Sequence, residues 1–141
     1  MTKIENSLIE AYENTNYYIY HDTEIIINIA KKNIDLINLF KDKNLISASI
    51  ITAYNPFSKI MTEEQNLSAQ LQLKKMIEDS NLSYLDAIGQ DIKKEWPGEP
   101  SFFIENISKE NAIKLGRKFN QNAIVWVDKN LIPELIFCFL K

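Results

Sequence analysis

Glycine is scarce in this chain, with three in 141 residues. A Walker loop or a dinucleotide fingerprint needs several glycines in one turn, so a glycine-rich phosphate cradle is excluded. Cysteine, histidine and arginine occur once each, as Cys138, His21 and Arg117. A single cysteine forms no disulfide within the chain, which fits a reducing compartment. One Cys and one His, far apart in sequence, do not make a zinc site of the usual kind. No HExxH, GxSxG or CxxC motif occurs, so no metal or other cofactor is expected. Cys138 sits inside the apolar run Leu135–Leu140 and reads as a core thiol, not a nucleophile.

Positive charge of the nucleic-acid-binding kind is also lacking. Sixteen basic residues stand against nineteen acidic ones, for a net charge of -3. Nucleic-acid binders usually carry a basic excess and use arginine for bidentate contacts, so that role is set aside. Long apolar runs are absent as well. Ile25 to Ile29 is interrupted by Asn28 and Leu135–Leu140 is short, and nothing approaches the ~20 residues of a transmembrane helix. Residues Met1–Ser7 carry no signal-peptide apolar segment. The expectation is a soluble, cytoplasmic protein without a membrane partner.

Of the residues present, 45% are hydrophobic and 25% charged, an ordinary globular composition. The length suits one domain, residues 1–141, large enough for a core without staples.

Ile4, Leu8, Ala11 and Tyr12 have helical spacing, which predicts a helix over residues 3–13. Tyr17–Tyr20 and Glu24–Ile29 read as a β-hairpin around His21-Asp22-Thr23. Lys31–Asp42 reads as a helix with Ile34, Leu36, Ile37 and Phe40 inward. Leu45–Tyr54 reads as a central strand, apolar on both faces and closed by Asn55-Pro56. Thr62 and Gln65 have capping-box spacing, opening a helix to about Asp79. Its inward stripe is Ala69, Leu73, Met76 and Ile77, widened by Leu67 and Leu71 and continued by Asn66. Leu82–Gln90 is a strand with Gly89 as a bulge, and Asp91–Pro100 is a polar loop. Ser101–Ile107 is a strand. Ser108 caps a helix whose inward face is Ala112, Leu115, Gly116 and Phe119. Ala123–Val127 is a central strand, and Ile132–Leu140 follows a hairpin turn at Asp128-Lys129-Asn130.

From Leu45 to Val127 the order is strand, helix, strand, strand, helix, strand. The fold expected is α+β: a mixed or antiparallel sheet around a ferredoxin-like βαββαβ core, with helices mainly on one face. An N-terminal helix and β-hairpin and an added C-terminal strand extend it. In that topology three polar stretches share one sheet edge: Tyr54-Asn55, the loop Glu95–Pro100 and Gln121-Asn122. The capped helix start at Thr62 lies there too, with N–H groups suited to an anion.

The residues Ile51–Ser58, Asn66, Glu99–Phe103, Leu115-Gly116 and Phe119–Val125 resemble the motif set of a small bacterial family, domain of unknown function 3293. The resemblance covers most of the chain and implies a small cytosolic bacterial protein. It brings no activity, cofactor or catalytic residue to transfer.

The candidate ligand-binding residues are Thr52, Asn55, Ser58, Asn66, Trp96, Glu99, Ser101, Gln121 and Asn122. Each also has a structural reading. Asn55-Pro56 is a common strand stop, and Asn122 suits a left-handed helix cap. Asn66 on an inward stripe needs buried partners, and the Asn55 turn is the neighbour expected. Three functions are weighed. The first is a non-catalytic module binding a small polar molecule or a peptide at the edge. The second is a small hydrolase or transferase using Glu95 or Glu99 as acid and base. The third is a protein-interaction role, with homodimer formation through the exposed hairpin strand.

Overall fold

A computed structural model describes residues 6–139. Four helices and seven strands occur among them, with one short 3-10 turn. The chain begins with α1 (Asn6–Glu13), then the hairpin β1 (Thr15–Tyr20) and β2 (Glu24–Ile27). Next come α2 (Ile34–Lys43), β3 (Ala48–Ile51) and the 3-10 turn Pro56–Ser58. After α3 (Glu63–Asp79) come β4 (Tyr84–Asp91), β5 (Glu99–Glu105), α4 (Lys109–Lys118), β6 (Ala123–Val127) and β7 (Glu134–Phe137). Ile4, assigned to the first helix, and Leu140, assigned to the last strand, lie outside the described residues.

All seven strands form one sheet in the order β2-β1-β4-β5-β3-β6-β7, antiparallel throughout. The fold is therefore α+β. β3 is buried along its whole length, because it lies between β5 and β6 and both its faces are covered.

Strand alternation divides the core in two. Ile50, Phe103, Val125 and Val127 join Leu36, Leu39 and Phe40 of α2. The alternate residues Ile51, Phe102, Ile104 and Ile124 join Leu73 and Ile77 of α3 and Ala112 of α4. α3 and α4 thus share one face, in keeping with helices mainly on one side, and α2 covers the other. The connection from β2 to β3 carries α2 across the face opposite α3 and α4. Lys43 at the end of α2 meets the buried carboxylate of Glu105 at 2.6 Å.

Four local expectations change. Ile34 opens α2 but is 66% exposed, and Leu39 is buried in its place. On α3 the buried stripe is Asn66, Gln70, Leu73 and Ile77, whereas Leu67 and Leu71 are exposed. The helical period places one polar pair inward and two leucines outward. Gly89 forms no bulge, since its register with Tyr17 and Glu99 is continuous. Strand β7 ends at Phe137, and the buried Cys138 lies just beyond it.

Gly116 packs as its place on an apolar face implied. A Cβ there would stand 2.6 Å from Cys138 Sγ and 2.9 Å from Ile124 Cγ2. The capping box of α3 forms as read, with Thr62 and Gln65 bonding reciprocally.

Candidate functional site

The turn after β3 is held by side chains reaching from other elements. Thr52 Oγ1 donates to the Pro100 carbonyl at 2.7 Å and accepts from Tyr54 N–H at 3.0 Å. Gln70, buried on α3, accepts from Ala53 N–H at 2.9 Å and donates to the Pro100 carbonyl at 3.0 Å. Asn66, one turn earlier, accepts from Asn55 N–H and donates to Asn55 Oδ1, both at 2.9 Å. Asn55 Oδ1 also accepts from Met61 N–H at 3.0 Å. This leaves the Asn55 amide nitrogen to donate to Glu99 Oε2 at 2.8 Å.

Asn55, Phe57 and Ser58 all take positive φ, at 48°, 53° and 60°. Such values are costly for an aromatic residue. They persist because neighbours fix the turn: Phe57 N–H donates to the Asn120 carbonyl at 2.7 Å. Gln121 Nε2 donates to the Tyr54 carbonyl at 3.1 Å. Asn122 Nδ2 donates to Ser58 Oγ at 3.0 Å. The left-handed residue at the end of α4 is Asn120, not Asn122.

Glu99 begins β5 opposite Gly89, and Gly89 stands opposite Tyr17. Without a Cβ at Gly89, the Tyr17 ring lies over the backbone, its Cε1 3.4 Å from where a Cβ would be. The ring and the Glu99 carboxylate thus share one face of three adjacent strands. Burial holds Glu99 above the usual carboxylate range, and the Asn55 amide opposes that shift.

Tyr12, from α1, completes the group. Burial pushes its hydroxyl up to about 12, opposed by a hydrogen bond with Ser58; the Glu99 and Cys138 charges add to the rise. Burial also raises Tyr17, with Tyr12 the next cause. Among the described residues, no lysine or arginine forms an ion pair with Glu99.

Thr52, Asn55, Ser58, Asn66, Glu99, Gln121 and Asn122 therefore meet in one network of hydrogen bonds. Ser101 is buried beside it and donates to the Glu99 carbonyl at 3.0 Å. Trp96 is separate: it stands 65% exposed on the β4–β5 loop. Its carbonyl accepts from Gln90 at 2.6 Å. Glu95 is exposed on the same loop and gives its N–H to Asp91 at 2.8 Å. Tyr12, Tyr17 and Gln70 were missed. Gln70 had a signal, since it lies four residues after Asn66 on the same stripe. Tyr12 falls on the helical spacing of Ile4, Leu8 and Ala11, with nothing to mark it as a polar contact.

Among the described residues, no group of three or more His, Cys, Asp or Glu could hold a metal ion. No helix among them is long and apolar enough to cross a membrane.

A family model described as "Protein of unknown function (DUF3293)" matches residues 51–124, more than half of the chain. The chain belongs to this family. The DUF3293 match runs from the last residue of β3 into β6 and contains both polar loops, α3 and α4. It includes every candidate edge residue and leaves Tyr12 and Tyr17 outside. No curated protein and no solved structure matches the chain.

Proposed function

We propose that this DUF3293 protein is a non-catalytic module of the bacterial cytosol that binds a small polar ligand at the Glu99 edge of its sheet. The order β4-β5-β3-β6 of the four central strands supports a ferredoxin-like βαββαβ reading of the core. In that frame Asn55, Glu99 and Asn122 belong to one end.

One observation carries the reading. Glu99 is a partly buried carboxylate, fixed by Asn55 and flanked by Tyr12 and Tyr17, with no cationic partner among the described residues. Burying a carboxylate unpaired costs stability, and a ligand donor or cation would offset it. Asn66, Gln70 and Gln121 are engaged with backbone groups and serve as scaffold. Glu99, Tyr12, Ser58 and Asn122 are the groups left to meet a ligand.

Native mass spectrometry of freshly purified protein tests this. The expected result is retained small-molecule mass on the wild type, lost in Glu99→Gln, which keeps the fold. Retention unchanged in Glu99→Gln moves the site elsewhere, and bare protein in both overturns ligand binding at this edge.

A second reading rests on the raised affinity of Glu99 for its proton, which suits a general acid in a small hydrolase or transferase. Glu95, on the exposed loop, is a poor partner for it. A turnover lost in Glu99→Gln but kept in Glu95→Gln would favour this reading with a single carboxyl.

A further inference from the structure

A second concave region lies along α1. Tyr12 reaches the Glu99 edge, whereas Ile9 and Glu13, four residues apart on the same helix, line a cavity of about 680 Å³. Opposite them stand Leu135 and Phe137 of β7, an edge strand of the sheet. Ile29, in the segment after the other edge strand, joins the lining. That segment is tied across by Ala30 N–H, which donates to the Pro133 carbonyl at 2.8 Å. The two sheet edges are thereby brought together around the cavity.

The lining has two chemistries. Its body is aliphatic and aromatic: Ile9, Ile29, Leu135 and Phe137. Its charged members among the described residues, Glu13, Asp128 and Glu134, are all carboxylates, with no lysine or arginine among them. Glu134 has Lys109 at 3.9 Å. Glu13 and Asp128 form no ion pair among the described residues. Asp128 is held in place by accepting from Asn130 N–H at 2.8 Å. The volume is that of a small-molecule site and not of a protein interface. An apolar lining beside the carboxylates of Glu13 and Asp128 complements one ligand class, a cation with an apolar tail.

We propose that this cavity binds a small amphiphilic amine, its apolar body against Ile9, Ile29, Leu135 and Phe137 and its cationic nitrogen toward Glu13 and Asp128. The site is distinct from the Glu99 edge, since none of the candidate edge residues lines it. The cation is held by partly exposed carboxylates, so the charge contribution is modest and salt-sensitive. The tail supplies the rest by leaving water.

The test is titration of the isotope-labelled full chain, followed by amide NMR, with three octyl probes below their micelle concentrations. These are octyltrimethylammonium, octanoate and octyl glucoside. The expected result is saturable shifts at Ile9, Leu135 and Phe137 with the cation, and at least about tenfold weaker binding of octanoate. Glu13→Gln with Asp128→Asn should weaken the cation by about tenfold and leave octyl glucoside unchanged. Asn at position 128 keeps the oxygen that accepts from Asn130. If the pair fails to fold, Glu13→Gln alone, at an exposed helix position, should give a smaller loss in the same direction. Equal binding of all three probes overturns the assignment to amines. Shifts that never saturate, or that lie away from these residues, overturn the site.

Discussion

At Asn66 a side-chain amide does the work of backbone pairing. β3 ends at Ile51, and the N–H of Asn55 no longer has a strand to bond. Asn66 accepts that N–H and donates back to the Asn55 side chain. Asn66→Ala would leave the part-buried Asn55 N–H without its partner, which costs ~1–3 kcal/mol. Asn122 has a different place. Its amide reaches Ser58, an exposed hydroxyl, so water can substitute. Asn122→Ala should stay within about 0.5 kcal/mol of wild type. Chemical denaturation of the two variants measures both. A large loss at Asn122 with none at Asn66 would reverse their roles. Equal large losses would make the edge one structural network and favour the interaction role over ligand binding.

Glu99 gives a second residue-scale expectation, in pH. Its folded carboxyl is held above its ordinary range, mainly by burial. The folded chain then keeps its proton more tightly than the unfolded chain does. The contribution of Glu99 is fully present below the ordinary glutamate range and is lost as pH rises through the raised folded value. Glu99→Gln removes that decline. The melting temperature of Glu99→Gln relative to wild type should therefore be higher by a few degrees near pH 7 than near pH 4. Paired melts at the two pH values check this, and a difference that falls with pH would contradict it.

At the scale of elements, Gly116 governs how closely α4 approaches the sheet. Alanine is the better helix former by ~1 kcal/mol, but its methyl would overlap Cys138 and Ile124. Overpacking a core costs about 1–3 kcal/mol, so Gly116→Ala should destabilise on balance. Adding Cys138→Ala should recover part of that loss in a double-mutant cycle, whereas full additivity would show that the two sites do not touch. This contact was legible in the sequence, because a glycine at i+4 from Ala112 on an apolar stripe has little other reason to be there. The Asn66–Asn55 pairing was legible for a similar reason, an amide on an inward stripe. The face that α2 covers was not legible. The amphipathic pattern of the helix says that one side is buried but not which face of the sheet buries it. Phe57 at positive φ was also invisible, since its conformation depends on Asn120 and the neighbouring turn and not on local propensity. The partnership of Tyr12 with Ser58 and Glu99 joins α1 to segments far along the chain, and no spacing within the helix encodes it.

At the scale of the whole molecule, the family match covers only part of the sheet. Residues 51–124 contain the polar edge, but they omit three of the four residues of β3 and the last three of β6. In the whole chain β3 pairs with β5 on one side and β6 on the other. Without it β5 would be an edge, and β6 would have no neighbour on that side. The match also omits α2, whose Leu36, Leu39 and Phe40 cover Phe103 on the opposite face. A fragment of residues 51–124 would therefore expose a central strand and one face of its core, and loss of that burial removes the main stabilising contribution. The expected outcome is a fragment with no cooperative thermal transition by circular dichroism, beside a full chain that melts in one step. A sharp, reversible melt of the fragment would mean that the matched region folds alone, and that α1, α2 and the N-terminal hairpin are additions to an independent core.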